Sequence, residues 1–285
     1  MKAYKGFNKD FTCRGFQFEE GKEYEEEEAV LCEKGFHACT NPLDVLNYYN
    51  DVEGKYCEVE LDEVSNDKKE NDSKICGKRI KINAEIGFVG LFKMGIEWLK
   101  EQTIFSKNDT KELEKSSGDG AQIGSSGYYA KIGSSGYCAQ IGSSGDGAQI
   151  GSSGDGAKIG SSGNYAQIGS SGYGAKIGSS GYCAQIGSSG DGAQIGSSGY
   201  GAQIGSSGNY AKIGSSGKNS VVMCAGNNSI AKAKIGSWIT LAEWGRDDNG
   251  DWIPINVVTK RVDGVEIKED TYYKLVNGVF TEVDR

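Results

Sequence analysis

Ala121-Gln122-Ile123-Gly124-Ser125-Ser126-Gly127-Tyr128-Tyr129 is followed at once by Ala130-Lys131-Ile132-Gly133-Ser134-Ser135-Gly136, and this repeated phrase decides the fold. The Ala-x-Ile triplet begins at Ala121, Ala130, Ala139, Ala148, Ala157, Ala166, Ala175, Ala184, Ala193, Ala202 and Ala211, eleven copies spaced by nine with no insertion or deletion. A fixed short period sustained over a long array is the mark of a solenoid, whose units pack mainly on their neighbours. In an extended segment, residues two apart share a face, so Ala121 and Ile123 point inward and Gln122 outward. The Gly-Ser-Ser-Gly that follows supplies backbone freedom for a bend and small hydroxyls that can bond the freed backbone groups. Nine residues therefore make one short strand and one corner. Two units give a flattened coil of 18 residues and three a triangular one of 27; one Ala and one Ile per face suit a thin core and favour two. Five to six such coils at ~4.8 Å per rung predict a rod on the order of 26 Å long.

Two features limit what the array can do. The residue after Ser-Ser-Gly is Asp119, Asp146, Asp155 or Asp191 in four units, Tyr128, Tyr137, Tyr173, Tyr182 or Tyr200 in five, and Asn164 or Asn209 in two. Most units thus lack the carboxylate that a calcium-binding roll needs for a hard cation. Outward Gln and Lys do not form the threonine grid of an ice-binding surface. Residues 121–165 and 166–210 are moreover one 45-residue block written twice, differing only at Tyr129/Gly174, Asp155/Tyr200 and Lys158/Gln203. Five units are not a multiple of two or three, so equivalent side chains of the two copies fall on different faces. This disfavours a position-specific strip along the rod. The tyrosines remain a contact surface of low entropic cost, and a spacer or dimerising rod is the plainer reading.

The formal net charge of the 285 residues is -8, and it is unevenly placed. Through Ser116 there are 18 Lys+Arg against 25 Asp+Glu, residues 117–216 carry four of each sign, and the remainder has 9 against 10. A neutral array behind an acidic head lacks the basic surface that neutralises phosphates, so direct nucleic-acid binding is disfavoured. There is no apolar run long enough for a membrane span, and Met1 to Lys5 is not followed by a signal-type stretch, so a soluble cytoplasmic protein is expected, with no membrane partner. Eight cysteines in that setting are expected to be reduced, small apolar side chains.

Residues 1–110 read as an α+β head. Segments with strand character, Met1–Phe7, Gly15–Phe18, Gly35–Cys39 and Lys55–Leu61, alternate with charged turns. Asn41-Pro42-Leu43-Asp44 places an N-cap before a helical proline, predicting a helix to Tyr49, and Ile86–Glu101 has apolar residues at helical spacing. Ser65–Ser73 reads as a polar loop. The run Glu25-Glu26-Glu27-Glu28 must be solvated or matched by a basic partner, and it also suits a protected sheet edge. His37, the only histidine, sits in Cys32-x4-His37-x-Cys39, which is not a zinc-site spacing.

Two resemblances attach to the head. The order Tyr4-Lys5-Gly6-Phe7, Gly35 to Cys39 with the helix after it, Lys55–Leu61, then Lys81 to Ile86 resembles an ADP-ribosyltransferase layout. That likeness puts Lys5 where the nicotinamide-site histidine belongs, His37 near the stacking tyrosine and Glu85 at the catalytic glutamate, and it implies NAD as substrate; two of the three positions depart from the pattern. The head and array together also resemble an uncharacterised family of bacteria and their phages, in which phrases like Cys13-Arg14-Gly15-Phe16-Gln17-Phe18 and Glu33-Lys34-Gly35-Phe36-His37-Ala38-Cys39 precede Ile-Gly-Ser-Ser-Gly repeats. It implies a mobile-element setting.

After Ser220-Val221-Val222 the repeat decays. An aromatic segment with Trp238, Trp244 and Trp252 follows, and turns at Asp247–Gly250 and Asn277-Gly278 predict hairpins that cover the last open rung or offer a partner site. The expected fold is mainly β: an α+β head (1–110), a central β-solenoid of nine-residue repeats (116–219) and a C-terminal β-hairpin cap (220–285). The expected function is binding without catalysis or cofactor. The chain is expected to be phage-associated and to inhibit a host protein such as a defence component by binding or sequestering it through Glu25 to Glu28, through Tyr128, Tyr137, Tyr173, Tyr182 and Tyr200, or through Trp244 and Trp252. Homo-oligomerisation and an NAD-dependent transferase using Lys5, His37 and Glu85 are the alternatives.

Overall fold

A computed structural model describes residues 1–65, 73–102, 113–116 and 118–283. The chain divides into two compact units, Met1–Trp98 and Leu99–Arg285. Most of the polar loop expected between Ser65 and Ser73 lies outside the described residues.

In the solenoid every Ile-Gly-Ser segment is a strand, and strands 18 residues apart pair in parallel and in register: Ile132 on Ile150, Ile141 on Ile159, and so on to Ile195 on Ile213. The coil therefore has two sides and contains two units, as the Ala and Ile sizes predict. About seven turns stack between residues 122 and 241. Every array isoleucine is at most 7% exposed, each contributing about 1.5–3 kcal/mol. The first Ser of each unit also turns inward. Ser125 and Ser134 Oγ accept weakly from the N–H of Gly127 and Gly136, whereas Ser143, Ser152, Ser161 and five further hydroxyls of the column lack a hydrogen-bond partner among the described residues. The expected hydroxyl–backbone bonding is thus confined to a few units.

The corners explain the rest of the phrase. From Gly136 onward, the last glycine of the Gly-Ser-Ser-Gly passes directly over the coil below: a Cβ on Gly136 or Gly172, and on Gly226 at the same place in the decayed repeat, would lie 2.0–2.1 Å from a carbonyl oxygen 18 residues earlier. The second corner residue is left-handed, whether Gly147 (φ 69°), Tyr129 (57°) or Cys183 (52°), and its N–H donates to the carbonyl of the next coil, as Tyr129 does to Asp146 at 2.8 Å. Where the first corner residue is Asp or Asn, its Oδ1 accepts the N–H of the residue one coil on: Asp155 from Tyr173 (2.7 Å) and Asn164 from Tyr182 (2.9 Å). The aspartates therefore serve an inter-coil ladder that asparagine serves equally.

The parallel rungs continue past residue 219, through Val221–Cys224 and then Trp238–Leu241. Each sheet then ends in an antiparallel hairpin. One is Trp238–Arg246 with Trp252–Arg261, turning at Asp247, whose carboxylate accepts from Asn249 and Asp251 N–H. The other is Tyr273–Val276 with Val279–Glu282, turning at Asn277-Gly278 and seated on Ile230–Lys232. Glu243 ties the two together by accepting the N–H of Asn277 and Gly278, both at 2.8 Å.

The head is a small sheet of β1 (Lys2–Phe7), β4 (Glu23–Glu25), β5 (Phe36–Cys39), β6 (Lys55–Val64) and β7 (Lys74–Glu85), with a two-stranded flap of β2 (Thr12–Cys13) and β3 (Phe16–Gln17). The order is β4-β7-β5-β1-β6, and long β7 also pairs with β6, which closes the sheet on itself. Ala3, Phe7, Val59, Leu61, Ile80 and Ile82 fill the interior. Pro42–Asn47 is a 3-10 rather than an α-helix, capped by Asn41 Oδ1 on Leu43 N–H. Pro42 to Leu46 are all buried, so this short segment has no solvent stripe, and the tighter turn accommodates it. α1 (Gly87–Gln102) buries Phe88, Leu91, Phe92 and Ile96, the spacing seen in the sequence.

Candidate functional site

The head carries a cavity of about 540 Å³ between β1, β5, the flap and the segment ending at Tyr49. Gly6 makes room for it: a Cβ there would lie 2.5 Å from Tyr49 Cβ, so only glycine lets Tyr49 lie across β1. Tyr49 then donates its hydroxyl to Cys13 Sγ at 2.8 Å. Lys5, the adjacent residue, is 6% exposed and donates to His37 O at 3.0 Å and to Cys13 Sγ at 3.5 Å. Burial holds its ammonium below the ordinary lysine range. His37 Nε2 accepts from the Cys32 N–H at 2.8 Å, which leaves the ring proton on Nδ1. Burial first, and then the charges of Lys74, Lys5 and Arg14, lower the His37 pKa to about 4, so the ring is neutral at pH 7. Arg14, Phe16, Phe18, Phe36, Tyr48 and Lys74 line the remaining walls.

Lys5 and His37 thus meet in one cavity. Glu85 does not join them: it sits at the far end of β7 and holds Lys55 at 2.9 Å, outside the cavity lining. The glutamates are spread out as well. Glu25 pairs with Arg79 and Glu28 with Lys34, Glu26 reaches the cavity rim, and Glu27 is exposed. β4, which starts the run, is an edge strand, the position where charge discourages further pairing.

The solenoid offers the second surface. Outward positions on each sheet form a Gln/Lys column beside a Gly column. Gln149, Gln167, Gln185 and Gln203, with Gly151, Gly169 and Gly187, are exposed on one sheet, whereas Gln140, Lys158, Gly142, Gly160 and Gly178 on the other are buried. Near the C-terminal end Tyr272 lies over this second sheet, its ring 5.4 Å from Lys212 Nζ and 5.1 Å from Lys232 Nζ, with its hydroxyl against Gly214. The exposed columns form a groove of about 960 Å³ floored by glycines at which a Cβ would meet nothing within 4 Å. The groove reaches Val221 and Met223; Trp238 pairs with Val221 on the next strand, and Ile255 and Val257 lie on the strand beyond it, all five being 46–63% exposed.

All five tyrosines singled out from the sequence are exposed. They divide between corners, as the odd-numbered duplication requires. Tyr128, Tyr182 and Tyr200 lie on the corner leading into the open face, where Tyr182 and Tyr200 stack at 5.4 Å and Tyr165 meets Tyr182 edge-on; Tyr137 and Tyr173 lie on the opposite corner. Trp244 is committed to structure through its Nε1 on Ala225 O at 2.7 Å. Trp252 is exposed beneath Arg246. Trp238 belongs to the aromatic segment singled out from the sequence, whereas Val221 and Met223 carry no such signal because the repeat decays there. Counting on by 18 from Gln203 and Gly205 puts Val221 and Met223 in the outward columns.

A family described as a domain of unknown function, DUF7666, matches residues 1–94, which is the head. No curated protein and no solved structure matches the chain. All eight cysteines are free thiols, and among the described residues no helix is long and apolar enough to cross a membrane.

Proposed function

We propose that the protein acts by binding a protein partner rather than by catalysis, and that the open face of the solenoid with its apolar end is the docking surface. The observation that carries this reading is the contrast between two sheets of one repeat: the outward positions are largely buried on one, whereas on the other they are exposed and end in apolar side chains on three successive strands, Val221 and Met223, then Trp238, then Ile255 and Val257. An exposed apolar patch bordered by polar residues is the usual form of a protein-binding surface. The glycine floor keeps the face flat where a side chain would fit, so its emptiness is not imposed by packing.

The wording of the head phrases at Cys13–Phe18 and Glu33–Cys39 supports a phage setting and a bacterial host protein as the partner. On this reading the chain works in the cytoplasm, and inhibition, for example of a defence component, follows from occupancy alone. The transferase alternative has less support, because Glu85 is engaged by Lys55 away from Lys5 and His37. The test is affinity capture from bacterial lysate with the wild-type chain and with a Met223→Glu, Trp238→Glu double variant, identifying retained proteins by mass spectrometry. A partner held by the wild type and lost by the variant is expected. Equal recovery on both, or no specific protein on either, overturns the docking surface.

A further inference from the structure

We infer that the head cavity binds a small molecule in which a phosphate or carboxylate group is carried on a flat ring, the anion resting against Lys5 Nζ and the ring lying at the aromatic mouth. The argument begins with Lys5. Its side chain is buried, yet its partners are a carbonyl oxygen, a thiol and the rings of Phe7 and Phe18 at 5.4 and 5.7 Å, and it forms no ion pair with any described carboxylate. A buried ammonium without a counter-charge is costly, and an anion delivered through the cavity removes that cost. The cavity also gathers three more cations on its lining, Arg14, Lys34 and Lys74, of which Lys34 is paired with Glu28. The two carboxylates that reach it, Glu26 and Glu33, are exposed to solvent, which weakens their opposition.

The ring follows from the mouth. Phe16 is 48% exposed and Tyr48 39% exposed, both lining the same cavity. Aromatic surface beside cations suits a molecule that is flat and apolar at one end and anionic at the other. A volume of about 540 Å³ accommodates a ligand of that size, within the range of ordinary small-molecule sites. Cys13 and the neutral His37 complete the polar wall as hydrogen-bonding groups.

The experiment is isothermal titration of the full chain with phenyl phosphate, benzoate, inorganic phosphate and benzyl alcohol, repeated with Lys5→Met and with Arg14→Ala. Saturable binding of phenyl phosphate or benzoate is expected, at least tenfold tighter than benzyl alcohol or inorganic phosphate, and the better of the two names the anion. Lys5→Met should lose at least tenfold in affinity while keeping the wild-type circular dichroism spectrum. Should that variant not fold, the exposed Arg14→Ala carries the test, with a two- to fivefold loss expected. No saturable binding of either ring-bearing anion, equal affinity for benzyl alcohol, or undiminished affinity in the folded variants would overturn the inference.

Discussion

Gly169 and Gly172 belong to the same nonapeptide, and an alanine at each should have opposite consequences. At Gly169 a Cβ would meet nothing within 4 Å; at Gly172 it would stand 2.1 Å from Gly154 O and 2.5 Å from its carbonyl carbon. Gly172 is not in the left-handed region, so the difference is steric alone. Restoring ordinary contact requires the two coils to part by about 1 Å, since close C···O contacts are ~3.3 Å. Three inter-coil hydrogen bonds flank the site: Ser171 N–H to Ser152 O at 3.0 Å, Tyr173 N–H to Asp155 Oδ1 at 2.7 Å, and Gly156 N–H to Tyr173 O at 2.8 Å. Losing two of them, at about 1–1.5 kcal/mol each with a further desolvation cost, predicts about 2–4 kcal/mol of destabilisation for Gly172→Ala. Gly169→Ala should be neutral or stabilise by up to about 1 kcal/mol through the unfolded chain. Urea unfolding followed by circular dichroism reads this as a lower midpoint for Gly172→Ala only, and amide exchange should place its weakening at the coils on either side of residue 172, because solenoid units couple mainly to neighbours. Equal midpoints for the two variants would refute the stacked-coil reasoning.

Cys183→Gly should stabilise by about 1 kcal/mol, since Cys183 occupies φ 52° without glycine's freedom; a lower melting temperature would contradict this. Asp155→Asn should be nearly silent and Asp155→Ala should cost about 1 kcal/mol, because the Oδ1 bond to Tyr173 N–H is all that the ladder requires, and added calcium should raise the melting temperature of neither. In the head, His37 has a folded pKa of about 4, below its ordinary 6.5. The unfolded state therefore takes up its proton first, and the stability conferred by the neutral ring is complete above pH 6.5 and lost as pH falls toward 4. Melting between pH 7 and 4.5 should show a shallower decline for His37→Gln than for wild type; parallel curves would count against it.

The solenoid was legible because its period is strict and its inward residues alternate, so Ala121 and Ile123 state their own environment. The coil size followed from volume. Other features depended on contacts that no period encodes. Gly172 and Gly169 look alike in the sequence, yet a Cβ at the first would strike a carbonyl and at the second would face open space. Nor could the sequence separate the two faces, since Gln167 and Gln140 share a phrase, yet one is exposed and the other buried. In the head, Lys5 and His37 were singled out through a resemblance that also required Glu85. The register that sets Cys57 opposite both Lys5 and Glu85 also hands Glu85 to Lys55. The cavity depends on Gly6, Cys13 and Tyr49 meeting across the sheet, and their spacing along the chain carries no sign of it.

The affinity of the captured partner for matched variants tests the account most directly. With the purified partner, the Met223→Glu, Trp238→Glu chain should bind at least 100-fold more weakly than wild type, while a chain with Glu25 to Glu28 changed to Gln should bind within about threefold of it, fold-changes that correspond to about 2.7 and 0.6 kcal/mol. An unchanged dissociation constant in the first variant, or a loss confined to the second, would contradict docking on the open face.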